Sequence, residues 1–359
     1  MLAGSVRPRH CCYKSTHRHS FLPCKTPQRC RSSNLTAKSN TTSIATDHLQ
    51  YIEEVAAAGQ QENLEALLQV LQTQSQTIVQ PSDRSNLHPL VIPLSAQSCK
   101  NGESDTIYTC LLRQVTLSGT NDQVMPVVQT RRGSSYLTLA ARNTQEYLHR
   151  ALAEEDITSG PGLIAEAAGQ AGQAIYNTGD AASNLNAYLT RKAGMYPDIV
   201  EQLVANHLEK GDSMSALITS EWYMRPKHFS GWARPYEFSA GLYKQLGRLE
   251  ESRDSARVAL RLPWWSLSTG FEAVRQMAGL QGDASGVHRA LKEQTYAANG
   301  ALPPGAMPAK DDRQVLIEDA EFLMNRASAG EVSWDEIRPQ LADKYQQAGL
   351  PDVAEFVLQ

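Results

Sequence analysis

Apolar positions change their period twice along this chain. Over 47–75, Leu49, Ile52 and Val55 and then Leu64, Leu67, Leu68 and Leu71 recur every three or four residues. That spacing predicts an N-terminal helix, interrupted at Gly59. Residues 76–88 are polar with proline-type breaks and read as a linker. Between 89 and 141 the pattern shortens into β-rich runs: Leu90–Leu94, Thr106–Leu112, Val124–Val128 and Tyr136–Leu139. Turn signals at Asn101-Gly102, Ser118–Asp122 and Arg132-Gly133 separate them. A small antiparallel sheet of three or four strands follows, with Pro93 and Pro126 at edges or bulges. From 142 to 359 the helical period returns. Asn143 is placed to cap its first helix, with Glu146 completing a capping box.

Within the helical part, Gly179-Asp180, Gly211-Asp212, Gly247-Arg248 and Gly282-Asp283 follow one another at intervals of 32, 36 and 35 residues. Each lies between two helix-like runs, at the pitch of a tetratricopeptide helix-turn-helix unit. The clearest copy runs from Ala240 through Tyr243, Gly247 and Ala259 to Pro263. The fold class predicted is therefore mainly α, with a small antiparallel β subdomain ahead of a degenerate tetratricopeptide-like array of helical hairpins. An irregular helical bundle is the alternative.

Charge divides the chain differently. Residues 1–46 contain eight basic side chains and no acid, with Ser, Thr and Asn between them. This reads as an organelle transit peptide, and its hydroxyl content favours the chloroplast over the mitochondrion; an ordinary disordered basic tail is the plainer alternative. The whole chain has 34 Lys+Arg against 38 Asp+Glu, so without those eight the remainder holds 26 against 38, a net charge of −12. Such a remainder repels phosphate backbones and anionic lipid, which disfavours nucleic-acid binding. No run reaches the roughly 18 apolar residues of a membrane span.

Familiar chemistry is missing. Four of six cysteines lie in the leader, leaving Cys99 and Cys110 as either two free thiols or a redox pair. There is no dinucleotide or phosphate-binding glycine loop, no nucleophile elbow and no paired-histidine metal spacing. No catalytic residue, cofactor or metal is implied. Glu154-Glu155-Asp156 is either a solvated helix end or a grip for a cation or a basic partner.

Aromatic residues give the better lead, since four of five tryptophans fall between Trp222 and Trp265. The candidate protein-binding residues are Trp222, Tyr223, Lys227, His228, Phe229, Trp232, Arg234, Trp264 and Trp265, types enriched at binding hot spots. The competing reading is that these rings fill the core.

Several stretches resemble one green-lineage chloroplast family: Met125–Val128, His149-Arg150 with Glu154–Asp156, Lys227–Phe229 with Arg234-Pro235, Asp254–Leu267, and Gly349–Leu358. The family is the plant factor called protein in chloroplast ATPase biogenesis, and the likeness covers about residues 89–292 and 312–358. The helix at 48–74 and the loop at 300–308 carry none of it. The resemblance implies a stromal auxiliary factor, free or peripheral to the thylakoid, that binds an unassembled protein client. It further implies help in assembling the catalytic part of ATP synthase, delivering the γ subunit after chaperonin-assisted folding, with no catalytic residues to carry over. Two other roles stay open: an assembly or stability factor for a photosystem, and an enzyme or small-ligand sensor of unfamiliar type.

Overall fold

The computed structural model describes residues 45–98, 106–115, 124–181, 184–299 and 311–359. The leader to residue 44 and Cys99 lie outside them, so neither the transit-peptide reading nor the cysteine pairing is addressed; Cys110 is buried with a free thiol.

The leucine-rich stretch at the start forms two helices. The first, α1 (45–50), continues as a wide turn over Tyr51–Val55. The chain then passes through left-handed backbone at Ala57 and Asn63 before α2 (Leu64–Thr73), whose Leu64, Leu67, Leu68 and Leu71 are all buried.

Five strands follow in simple meander order, every neighbour antiparallel: β1 (Thr77–Ile78), β2 (Val91–Gln97), β3 (Ile107–Leu112), β4 (Val127–Thr130) and β5 (Thr138–Ala141). The sheet thus has one strand more than the three or four predicted. The extra strand, β1, is two residues long and lies in the stretch that reads as a linker, too short to show alternation. Val91, Ile92 and Leu94 are all fully buried, so both faces of β2 are covered. Pro93 sits at a bulge, where the register slips between Pro93 and Ser95.

Helices occupy the rest: α3 (Thr144–Ser159), α4 (Leu163–Ile175), the one-turn α5 (Leu185–Tyr188), α6 (Pro197–Glu209), α7 (Ser213–Tyr223), α8 (Arg234–Gln245), α9 (Leu249–Ala259), α10 (Phe271–Met277), α11 (Ala284–Asn299), α12 (Asp312–Ser328), α13 (Trp334–Gln347) and α14 (Pro351–Leu358). Asn143 caps α3 by accepting from Glu146 N–H at 2.7 Å. Glu146 instead turns its carboxylate to Arg142, so the predicted box is half formed.

Two of the predicted hairpins are present, α6–α7 turning at Gly211 and α8–α9 at Gly247, with φ of 75° and 76°. At the second, Arg248 N–H reaches back to Tyr243 C=O at 2.9 Å, closing the helix end in the way that favours glycine. Ala240, Ala256 and Ala259 let α8 and α9 approach closely, and Ser252 Oγ donates to Ala240 C=O across the contact at 2.8 Å. The four-unit array is not seen. Gly179 leads to α5, which continues as a wide turn over Leu189–Ala193 but packs on α3 rather than pairing with α4, and Gly282 joins the seven-residue α10 to α11. Nor does the chain run on as an open stack. Ile337, Leu341, Tyr345, Phe356 and Val357 from α13 and α14 return to the same apolar core as α1, α2 and the sheet.

Candidate docking face and a buried junction

The aromatic segment divides by depth. Tyr223 is fully buried, its ring edge-on to Phe229 at 5.2 Å, and its hydroxyl donates to Glu201 at 3.1 Å. Trp232 meets Trp265 edge-on at 5.3 Å, and Trp264 stacks on Phe271 at 4.3 Å. A short turn at Trp264–Ser266 holds these rings where three parts of the chain meet. Leu137 N–H donates to Trp265 C=O (2.7 Å), Ala233 N–H to Ser266 Oγ (2.8 Å), and Trp264 N–H to Asn325 Oδ1 (2.8 Å). Tyr223, Phe229, Trp232, Trp264 and Trp265 are therefore joints of the core.

Arg234 is also tied inward. Its guanidinium grips Glu201 with two hydrogen bonds of 2.7 Å and reaches Glu237 at 3.2 Å. Burial alone would lower its pKa; the Glu201 and Glu237 carboxylates outweigh that and raise it. Glu237 in turn receives the Ser268 and Thr269 N–H groups at 2.8 and 2.7 Å, linking α6, α8 and the loop before α10.

What remains outward is an edge. Trp222 and His228 are half-buried with rings 4.8 Å apart, and Lys227 is exposed beside Arg225. Burial, then Lys227, Arg142 and Arg225, push the His228 pKa down. On the same helix, Met214 and Ile218 are 67% and 59% exposed, and by the helical period they share a face with Trp222. The outward apolar ridge is thus Met214, Ile218 and the edge of Trp222. Sequence reading misses the first two, because their exposure depends on which side of α7 packs inward.

The acidic trio is used internally. Glu154 binds Arg150 at 2.7 Å, Glu155 accepts N–H groups at the start of α4 including Ile164 and Ala165 at 2.9 Å, and Asp156 accepts Tyr176 O–H and Gly179 N–H. It is neither a solvated end nor an open cation grip. Among the described residues no group of three or more His, Cys, Asp or Glu is placed to hold a metal ion.

A large buried polar feature lies in the stretch that reads as a linker. Arg84 is 1% exposed, and its guanidinium donates to Phe356 C=O (2.5 Å), Val91 C=O (3.0 Å), Pro89 C=O and the Tyr51 hydroxyl. Its carbon lies 3.8 Å from the centre of the Phe356 ring. All these partners are neutral, and burial lowers its pKa to about 10. Arg338 clamps the same turn, donating to Arg84 C=O (2.9 Å), Leu87 C=O (3.3 Å) and Val357 C=O (2.8 Å). His88 is wedged between Trp265 and Trp334, ring centres at 5.3 and 4.7 Å. Burial first, then Arg338 and Arg84, depress its pKa to about 3. This junction ties the turn at 84–91 to α13 and α14.

The likeness to known proteins covers both junction and ridge. Three family domains match: PAB N-terminal over 46–192, PAB middle domain over 197–284 and PAB C-terminal domain over 295–359. An Arabidopsis thaliana protein named "Protein IN CHLOROPLAST ATPASE BIOGENESIS, chloroplastic" is 38% identical over 315 residues, covering 87% of this chain and 90% of the relative. The chain belongs to the PAB family. Its PAB domains follow the fold: α1 to α5 with the sheet, α6 to α10 with the ridge, and the C-terminal helices that close the junction. The match also reaches further than the resemblance read from sequence, taking in the N-terminal helices and Arg84, and spanning the loop at 300–308. No solved structure matches the chain.

Proposed function

We propose that this protein is a chloroplast stromal assembly factor, free or peripheral to the thylakoid. In this reading it binds an unassembled subunit and assists biogenesis of the catalytic part of ATP synthase without catalysing a reaction. The observation that carries it is the extent of the relation: 38% identity over nearly the full length of both chains, to a relative named for chloroplast ATPase biogenesis. The client is a protein of the catalytic head, with γ the subunit the resemblance implies, received after chaperonin-assisted folding.

The outward ridge supports the reading physically. Two large apolar side chains more than half exposed, one turn apart, suit a surface covered by another protein. Methionine adapts to irregular partners, which suits a transient grip. Trp222, Lys227 and His228 would extend the contact; the buried rings behind them hold the ridge in place. The enzyme or sensor reading is less well served. The cleft beside Asp156 and Tyr176 holds about 150 Å³, below the roughly 300 Å³ of ordinary ligand pockets, and the larger space between α12 and α13, about 370 Å³, is an open groove rather than an enclosed pocket. Among the described residues no helix is long and apolar enough to cross a membrane.

The test is genetic. Plants lacking the protein should lose assembled ATP synthase while photosystem levels hold, and Met214→Lys/Ile218→Lys should accumulate but fail to restore it. Loss of a photosystem with ATP synthase intact would transfer the protein to the alternative client class.

A further inference from the structure

We propose that the groove between α12 and α13 is a second docking site, and that its occupant is a basic amphipathic helix of a partner protein. The groove is open, about 370 Å³, with Asp319, Phe322 and Leu323 on one wall and Gln340, Asp343 and Lys344 on the other. Phe322 and Leu323 are half-buried, and Val315 stands 41% exposed one turn before Asp319 on the same helix face. From Val315 to Phe322 the apolar track spans about two helical turns, roughly 10 Å. Two antiparallel helices with an apolar trough between them form the geometry into which a third helix lays its apolar face.

Charge selects the kind of helix. Residues 311–359 carry eleven Asp/Glu and four Lys/Arg, a net charge of −7. All four cations are occupied. Arg338 is at the junction, Arg313 bonds Ala348 C=O (2.9 Å), Arg326 pairs with Glu331 (3.0 Å) and Lys344 pairs with Asp319 (2.9 Å). Asp343, at the mouth, receives only the neutral Gln347 amide at 2.8 Å among the described residues. A helix with Lys or Arg flanking an apolar stripe meets both demands, covering Phe322 and Leu323 and pairing with Asp343. Such pairing acts mainly on encounter rate and partner choice, and weakens with salt.

The inference deepens the assembly-factor reading by stating the chemistry of a client surface, but its test does not depend on that client's identity. A labelled Leu/Lys amphipathic helical peptide is titrated into the full chain, with a Leu/Glu peptide of the same pattern as control. The Lys peptide should bind and weaken at least tenfold when salt rises from about 20 to about 200 mM; the Glu peptide should not bind. Asp343→Lys should weaken binding at least tenfold, and Asp343→Asn by less, with melting temperature unchanged. Glu209→Lys, an exposed acid at the end of α6, should leave binding as it was. Equal losses in Asp343→Lys and Glu209→Lys would mean diffuse attraction to an acidic protein and overturn the site. So would absence of Lys-peptide binding, or self-association of the chain that Asp343→Lys dissociates. If the groove variants behave as stated while ATP synthase levels prove independent of the protein, the groove stands and the assembly reading falls. The reverse pattern removes the groove alone.

Discussion

Phe356 joins the C-terminal helix to the buried Arg84 through both its backbone carbonyl and its ring. It is fully buried near the C-terminus, its carbonyl accepts from Arg84, and the Arg84 guanidinium lies 3.8 Å from its ring centre, with Arg113 at 5.5 Å. Phe356→Leu keeps the backbone carbonyl and most of the apolar volume but removes the π face. Losing three side-chain carbons from a fully buried site costs about 2 kcal/mol in packing. A desolvated cation–π contact adds about 2 kcal/mol. The total expected is about 4 kcal/mol, half of it electrostatic. Arg84→Met separates the terms, because once that guanidinium is gone Phe356→Leu should cost its packing part and only the weaker contact with Arg113. A double-mutant cycle by chemical denaturation, followed by tryptophan fluorescence, should therefore return a coupling of about 2 kcal/mol. Trp265 and Trp334 at the same junction make the signal local. A coupling near zero would show that the ring merely fills space and that carbonyl acceptors alone hold the buried charge.

Other expected outcomes concern the turn, the core and the response to acid. Gly247→Val places a β-branched residue at φ 76° where no neighbouring atom lies within 4 Å of the added Cβ. Its cost is therefore backbone strain, about 1–2 kcal/mol, and an unchanged melting temperature would refute the turn described. Trp265→Ala should cost roughly 3–5 kcal/mol, since the ring is 9% exposed and packed on Trp232 and His88; weakened client binding at full stability would place it on the surface instead. His88 is held far below its ordinary pKa of 6.5, at about 3, so on acidification the unfolded chain takes up the proton first. Its contribution is complete above pH 6.5 and drains away as pH falls toward 3, at up to about 1.4 kcal/mol per pH unit. His88→Asn should flatten the stability profile across that window, and an unaltered slope would contradict a neutral His88.

How much could be read from sequence follows from how local each cause is. The four longer strands are legible because Val, Ile, Thr and Leu runs alternate with turn residues, and β1 is not, because two residues carry no period. Gly211 and Gly247 mark real helix turns since the left-handed backbone they supply is a local need. The predicted array of four fails at its ends, where α5 packs on α3 instead of forming a hairpin, α10 is only seven residues long, and the remaining helices fold back on the sheet. Nothing near Arg84 announces that its acceptor is Phe356, 272 residues away, so a polar stretch that reads as a linker proves to be a buried lock. Composition singles out the segment from Trp222 to Trp265 but not which rings face inward. That depends on α7 turning Tyr223 to the core and leaving Met214 and Ile218 outside.

The most direct measurement of the central proposal is capture of the affinity-tagged full-length protein from chloroplasts, with bound proteins quantified by mass spectrometry. The same capture is run with the Met214→Lys/Ile218→Lys variant. The account predicts enrichment of ATP synthase catalytic-head subunits, γ among them, and their loss from the variant at equal protein level. Recovery of photosystem subunits in their place, or equal recovery of head subunits by both proteins, would contradict it.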